Sequence, residues 1–235
     1  PRLQQREEGS VVLGYRCRNS GMTLACGYWN HVNAACESRI DTTLEDDIAK
    51  SVITAHPDAG ETVTITKFVS YHTSRGVPPE ELADRCARTL RRAADEGGAR
   101  LVAEQGQWLG DYWAASDIEL RGNDGDQQAL RWNLFQLAQA SARTHEQGIA
   151  AKAVTAGGYD GHYFWDTEVY VAPFLAYNNP EAARKVMRFR WKMLDAARRR
   201  AAMLSERGAL YPWRTINGEE ASAYYAAGTA QYHIN

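Results

Sequence analysis

Residues 157–168 read Gly157-Gly158-Tyr159-Asp160-Gly161-His162-Tyr163-Phe164-Trp165-Asp166-Thr167-Glu168. Glycines, a histidine, aromatic rings and acids crowd together immediately before a helical pattern. A sugar site needs this mixture. An aromatic plane covers the apolar face of a pyranose ring, a carboxylate accepts hydrogen bonds from neighbouring hydroxyls, and glycines let the backbone approach closely. The same spacing supports a second reading, in which Asp166 caps the following helix and Phe164 and Trp165 lie in its core.

Downstream, a helix is expected over about 166–177, with Asn178-Asn179-Pro180 as its breaker. A long helix then runs over 181–207 and stops at Gly208. Upstream, Leu130, Leu134, Leu137 and Ala138 mark another helix from Asp126 onward. Two helices precede it, one from Pro78-Pro79 to about Glu96 with Leu82, Cys86, Leu90 and Ala93 on one face, the other over about 100–114 with Trp108 and Trp113 packing. Before Ser74 the period changes to two. Met22, Leu24, Cys26 and Tyr28 alternate with Thr23, Ala25, Gly27 and Trp29, and residues 61–71 (ETVTITKFVSY) alternate likewise. Further strands fit around 10–17 and 41–54. So few strands belong to a larger sandwich.

The chain of 235 residues is long enough for one large domain or two smaller ones, and its net charge is −2. No basic stripe dominates, which argues against a nucleic-acid partner, and no run of eighteen apolar residues implies a membrane span. The run Arg184, Lys185, Arg188, Arg190, Lys192 and Arg198 to Arg200 suits the solvated face of a long helix. Cys17, Cys26, Cys36 and Cys86 form no CxxC pair and have no histidine at zinc-ligand spacing, so no metal site is expected. They read as small buried apolar residues in a reducing cytoplasm. The start, Pro1-Arg2-Leu3, has no apolar segment of the secretory type and no initiator Met.

Two further clusters follow, 211–220 (YPWRTINGEE) and 228–235 (GTAQYHIN). Trp213 beside Arg214 suits recognition of a polar acceptor, and Gln231 and His233 could border a polar pocket. Glu219 and Glu220 are adjacent, but a glycosidase needs two carboxyl groups facing each other across the bond, about 5–9.5 Å apart.

GYDGHYFWDTE, then YPW, then AAGTAQYHIN, in that order, resemble the family 65 glycoside hydrolases and phosphorylases, which include maltose, trehalose and kojibiose phosphorylases and some trehalases. The resemblance implies a multidomain β + α fragment. Residues 1–74 would be the end of a β-sandwich domain, 75–120 a helical linker, and 121–235 the first helices of an (α/α)6 toroid barrel. By the same resemblance Trp165 and Asp166 hold the transferred glucosyl unit, and Trp213 lines the acceptor site. Several members have Glu at the next position, where this chain has Arg214, so the acceptor cannot be copied from them. The family's general acid, a Glu in an Asp-Glu-aromatic-His motif, is expected beyond Asn235, so the chain by itself is expected to be inactive.

The implied chemistry is inversion at an α-glucosidic bond, with an α-linked disaccharide and inorganic phosphate as partners and no cofactor. A phosphorylase is favoured over a trehalase-like hydrolase or a non-catalytic carbohydrate-binding module. A cytoplasmic location and a homodimer complete the expectations.

Overall fold

The structure is a computed structural model that describes residues 3–7, 10–18, 21–142, 148–153 and 158–222. The chain divides into two compact units, residues 1–108 and 109–235.

In the first unit, β1 (Leu3–Glu7), β2 (Ser10–Arg16), β3 (Thr23–Asn33) and β6 (Thr64–Thr73) form a four-stranded antiparallel sheet in the order β1-β2-β3-β6. Strands β4 (Ser38–Glu45) and β5 (Ile48–Ala55) make a separate antiparallel hairpin. Of the period-two segments at 22–29 and 61–71, residues 23–29 lie in β3 and 64–71 in β6, paired Gly27 to Ser70, while 61–63 stay outside the strand.

Helix α1 (Leu82–Glu96) covers one face of this sheet. Its buried positions Leu82, Cys86 and Leu90 recur every fourth residue and meet Val12, Ala25, Trp29 and Phe68. Each fully buried leucine contributes about 1.5–3 kcal/mol. The opposite face carries Val69, 51% exposed, and Tyr71, 68% exposed. Of the cysteines only Cys86 is buried; Cys17 is exposed, Cys26 and Cys36 are half-buried, and all are free thiols. The expectation of four buried cysteines therefore fails. Cys17 follows the end of β2, and Cys36 lies in the connection between β3 and β4.

Helix α2 (Gly98–Ser116) runs across the unit boundary, and Trp108 on it is 40% exposed. It is tied to α3 (Asp124–Ala142) by the Tyr112 hydroxyl, which donates to the Leu134 carbonyl at 2.7 Å. Asp117 closes the α2–α3 connection. Its carboxylate accepts from Arg131 at 2.6 and 2.9 Å and caps the Ile118 amide at 3.0 Å. The Arg131 bond holds that carboxyl below its ordinary value.

The helix expected over 166–177 begins as one wide turn, Thr167–Val171, with hydrogen bonds of the i to i+5 type, and continues as α4 (Ala172–Asn178). Asn179 then ends one helix and starts the next. Its side-chain oxygen accepts from the Ala182 amide at 3.1 Å, with Pro180 in the first turn of α5 (Pro180–Lys192). The expected single helix over 181–207 is instead two, α5 and α6 (Leu194–Met203). The break is at Met193, whose amide turns back to the Arg190 carbonyl at 2.9 Å while its side chain is buried beside Tyr163 and Phe189. No described helix is long and apolar enough to cross a membrane.

Gly27 tests the α1–sheet contact. A β-carbon there would lie 2.6 Å from the Val11 carbonyl oxygen and 3.0 and 3.1 Å from Leu90 Cδ1 and Cys86 Sγ. Gly27→Ala is expected to cost about 1–3 kcal/mol in urea unfolding, as overpacking does. An unchanged midpoint would mean that α1 does not sit this close to β3.

Candidate functional site

The stretch 158–168 starts with a turn in which Gly158, Tyr159, Asp160 and Gly161 all have positive φ, at 134°, 52°, 51° and 72°. For Tyr159 and Asp160 this is uncommon backbone that the surroundings must hold, and such positions cluster at ligand-binding sites. The holding bonds come from His162. Its backbone amide donates to the Tyr159 carbonyl at 2.9 Å, and Nδ1 lies 2.7 Å from the same oxygen.

After this turn the chain pairs with the other cluster. Tyr163 and Thr215 form an isolated antiparallel bridge, with N···O distances of 2.8 and 3.2 Å, and both residues are buried. This brings 158–168 against 211–222, so the structure unites the two stretches read separately in the sequence. Trp165 Nε1 donates to the Pro212 carbonyl at 3.1 Å, and the ring meets Tyr211 edge-on at 5.8 Å. Phe164 meets Trp213 edge-on at 6.3 Å and Tyr159 at 5.2 Å. Burial holds the Tyr211 phenol above its ordinary value, against the opposing effect of Arg190 and Arg198.

Arg190 lies beneath this layer. Its guanidinium binds Glu168 through Nε at 2.6 Å and Nη2 at 2.9 Å, and Nη2 also donates to the Phe164 carbonyl at 3.2 Å. The same guanidinium covers the Trp165 ring at 4.7 Å. Both side chains of the pair are enclosed, at 7% and 8% exposure. Arg200 does the equivalent for the second loop. It donates to the Tyr211 carbonyl at 2.9 Å and pairs with Glu220 at 3.3 Å. Glu220 in turn accepts from the amides of Trp213, Arg214 and Ser222 at 2.7, 3.1 and 3.2 Å, and from the Ser222 hydroxyl at 2.7 Å. The loop also presses against α6 at Gly218 (φ 102°), where a β-carbon would stand 3.1 Å from Ala196 Cβ.

These contacts correct two expectations. The arginine run is not wholly a solvated face, since Arg190 and Arg200 are buried. Their partners Glu168 and Glu220 are distant in sequence, so no local spacing signals the burial. The capped-helix reading of 157–168 also fails. Asp166 makes no capping hydrogen bond and is exposed, while Phe164 and Trp165 are half-buried. Of the acids in this stretch, Asp160 pairs with Arg214 at 3.3 Å, Glu168 pairs with Arg190, and Asp166 pairs with no described residue. Arg214 Nη2 also lies 3.2 Å from His162 Nδ1. The cluster at 228–235, with Gln231 and His233, lies outside the described residues, as does Gly157.

Glu168→Gln leaves the Arg190 charge buried without its counter-ion and is expected to cost about 3–5 kcal/mol in urea unfolding. Adding Arg190→Met should restore much of that loss. If the double variant is no more stable than the single one, the pair does not hold the site in this way.

The profile described as "Glycosyl hydrolase family 65, N-terminal domain" matches residues 2–112, and that of the "Glycosyl hydrolase family 65 central catalytic domain" matches residues 131–235. Among similar proteins is the α,α-trehalose phosphorylase of Thermoanaerobacter brockii, 40% identical over 94% of this chain and 28% of its own length. The kojibiose phosphorylase of the same organism is 38% identical over 68% of this chain and 21% of its own. A solved structure provisionally described as a kojibiose phosphorylase from the human microbiome superposes with a TM-score of 0.83 at 27% identity. That match covers 99% of this chain and 32% of the other. The chain thus spans between about a fifth and a third of the length of these relatives.

Proposed function

The chain belongs to glycosyl hydrolase family 65, and from that premise we propose that the whole protein is an inverting phosphorylase of α-linked glucose disaccharides, of the maltose, trehalose, kojibiose or nigerose type. Here residues 158–168 and 211–222 would form one wall of its sugar site. The observation that carries this reading is the exposed carboxylate of Asp166, pairing with no described residue, next to a Trp165 ring fixed by Pro212, Tyr211 and Arg190. A carboxylate beside a rigid aromatic plane suits paired hydroxyls above an apolar sugar face.

In this reading Asp166 accepts hydrogen bonds from the glucosyl hydroxyls and Trp165 walls the ring. Trp213 borders the neighbouring acceptor unit, and Arg214, oriented by Asp160, donates to that unit. Phosphate oxygen attacks the anomeric carbon from the face opposite the departing sugar, and a carboxylic acid supplied from outside the residues described here protonates the leaving oxygen. The products are glucose 1-phosphate of inverted configuration and the free acceptor. No cofactor enters, and the setting is cytoplasmic. This chain's share is positioning, which lowers the barrier by holding the reacting centres near attack geometry.

The architecture goes with the same proposal. Residues 1–74 close a β-sandwich, whose second sheet would cover the exposed Val69 and Tyr71. Residues 75–120 act as the helical linker, residues 121–235 open an (α/α)6 toroid, and the protein works as a homodimer.

The test is phosphate-dependent release of glucose 1-phosphate by the full-length protein on maltose, trehalose, kojibiose and nigerose. Product from one of them would establish the phosphorylase and its linkage. Phosphate-independent glucose release would replace it with a hydrolase, and no turnover of any of them would favour a carbohydrate-binding role. Asp166→Asn is expected to lower kcat/KM about ten- to a hundredfold with an unchanged unfolding midpoint, since hydrogen bonds to a charged group are each worth about 1.5–3 kcal/mol. Unaltered kinetics would remove Asp166 from the site.

A further inference from the structure

Far upstream of the sugar-site clusters, the sheet-and-helix unit holds a second concentration of polar chemistry. His72 on β6 and Arg85, Arg88, Thr89 and Arg92 on α1 line a cavity of about 320 Å³. The four α1 positions are spaced i, i+3, i+4 and i+7, which places them on one helix face beside the sheet.

The cavity floor is ordered by a chain of hydrogen bonds. The Thr89 hydroxyl donates to the Arg85 carbonyl at 2.9 Å, so its oxygen accepts from His72 Nε2, also at 2.9 Å. Arg85 is held by Glu81 through Nε at 3.0 Å and Nη2 at 2.8 Å. Arg88 and Arg92 are exposed and pair with no acid among the described residues. Burial, and then the Arg85 and Arg88 charges, hold the His72 imidazole below its ordinary value. The chain as a whole carries −2, so general basicity does not explain this positive concentration.

We propose that this cavity is a binding site for a small phosphate-bearing anion, held by Arg88 and Arg92 at the rim, with Arg85, Thr89 and His72 behind. Planar guanidinium forks on successive turns of one helix face match a tetrahedral oxyanion better than a carboxylate. The phosphate offers three or more oxygens and up to two charges, the carboxylate two oxygens and one charge. The cavity lies near the small end of the usual range for small-molecule sites, about 300–1,000 Å³. That size suits a pyrophosphate-sized anion or a short phosphate ester. The site is independent of the sugar-handling reading and involves none of its residues. The competing explanations are a helix face that merely faces solvent, and a stripe covered by acidic residues elsewhere in the same polypeptide.

Isothermal titration of the full-length protein at constant ionic strength separates these, with inorganic pyrophosphate and glycerol 2-phosphate as probes. Saturable binding of at least one probe is expected. The double variant Arg88→Gln, Arg92→Gln should weaken it at least about tenfold, as loss of charge-assisted hydrogen bonds does. Arg100→Gln, which removes an exposed pair with Glu104 outside the cavity, should leave it unchanged. Tighter binding of pyrophosphate would identify an inorganic phosphate site, and tighter binding of glycerol 2-phosphate a phosphate-ester site. The proposal is overturned if neither probe binds, if the double variant binds as the wild type does, or if Arg100→Gln weakens binding equally. A lowered unfolding midpoint of the double variant without any probe would also overturn it, by showing that the stripe serves an internal ion-pair surface.

Discussion

The buried pairing of Arg190 with Glu168 constrains the whole candidate site, because one guanidinium meets three separate parts of it. It neutralises Glu168, satisfies the Phe164 carbonyl and covers the Trp165 ring. Removing two charges from water is costly, and their mutual attraction only partly offsets that cost. Such a pair is weak evidence for stability. Its consequence here is geometric. With Glu168 and Phe164 bound to one rigid fork, the backbone between them has little freedom, and Trp165 and Asp166 lie in that interval.

The second loop follows the same rule with different atoms. Glu220 gathers the amides of Trp213, Arg214 and Ser222 and is anchored by Arg200 on α6. Each loop is therefore fixed to one of two successive helices by one arginine–glutamate pair, and the Tyr163–Thr215 bridge fixes the loops to each other. The break at Met193 belongs to this arrangement. Its amide bonds back to the Arg190 carbonyl, and its side chain contacts the loop at Gly218 while packing beside Tyr163. The residue that divides α5 from α6 is thus also a core contact of both loops.

What the sequence made legible was what repeats locally. Period-two alternation marked β3 and β6, the four-residue spacing of Leu82, Cys86 and Leu90 marked α1, and the density of glycine and aromatic residues marked 157–168. What it hid depends on contacts between distant residues. A run of arginines has the same spacing whether it faces water or glutamates from other loops, so the burial of Arg190 and Arg200 was unreadable. The helix break was equally hidden, because Met193 is a good helix former and only its tertiary contacts make the turn tighten there. Asp166 misled in the opposite direction. Asp before a helix usually caps it, but here the first turn is wide, the Asp166 backbone is already helical, and its carboxylate makes no capping hydrogen bond.

That failed cap is informative about chemistry. A capping aspartate at this position would stabilise the helix by about 0.5–2 kcal/mol. The chain forgoes that contribution, adopts positive φ at Tyr159 and Asp160 just upstream, and buries a costly ion pair just downstream. Three departures from local preference, at Tyr159–Asp160, Asp166 and Glu168, thus flank or include one exposed carboxylate, and such departures gather where local stability is not the only constraint. A sequence shaped only for stability would have used Asp166 as a cap and replaced Arg190 and Glu168 with apolar residues.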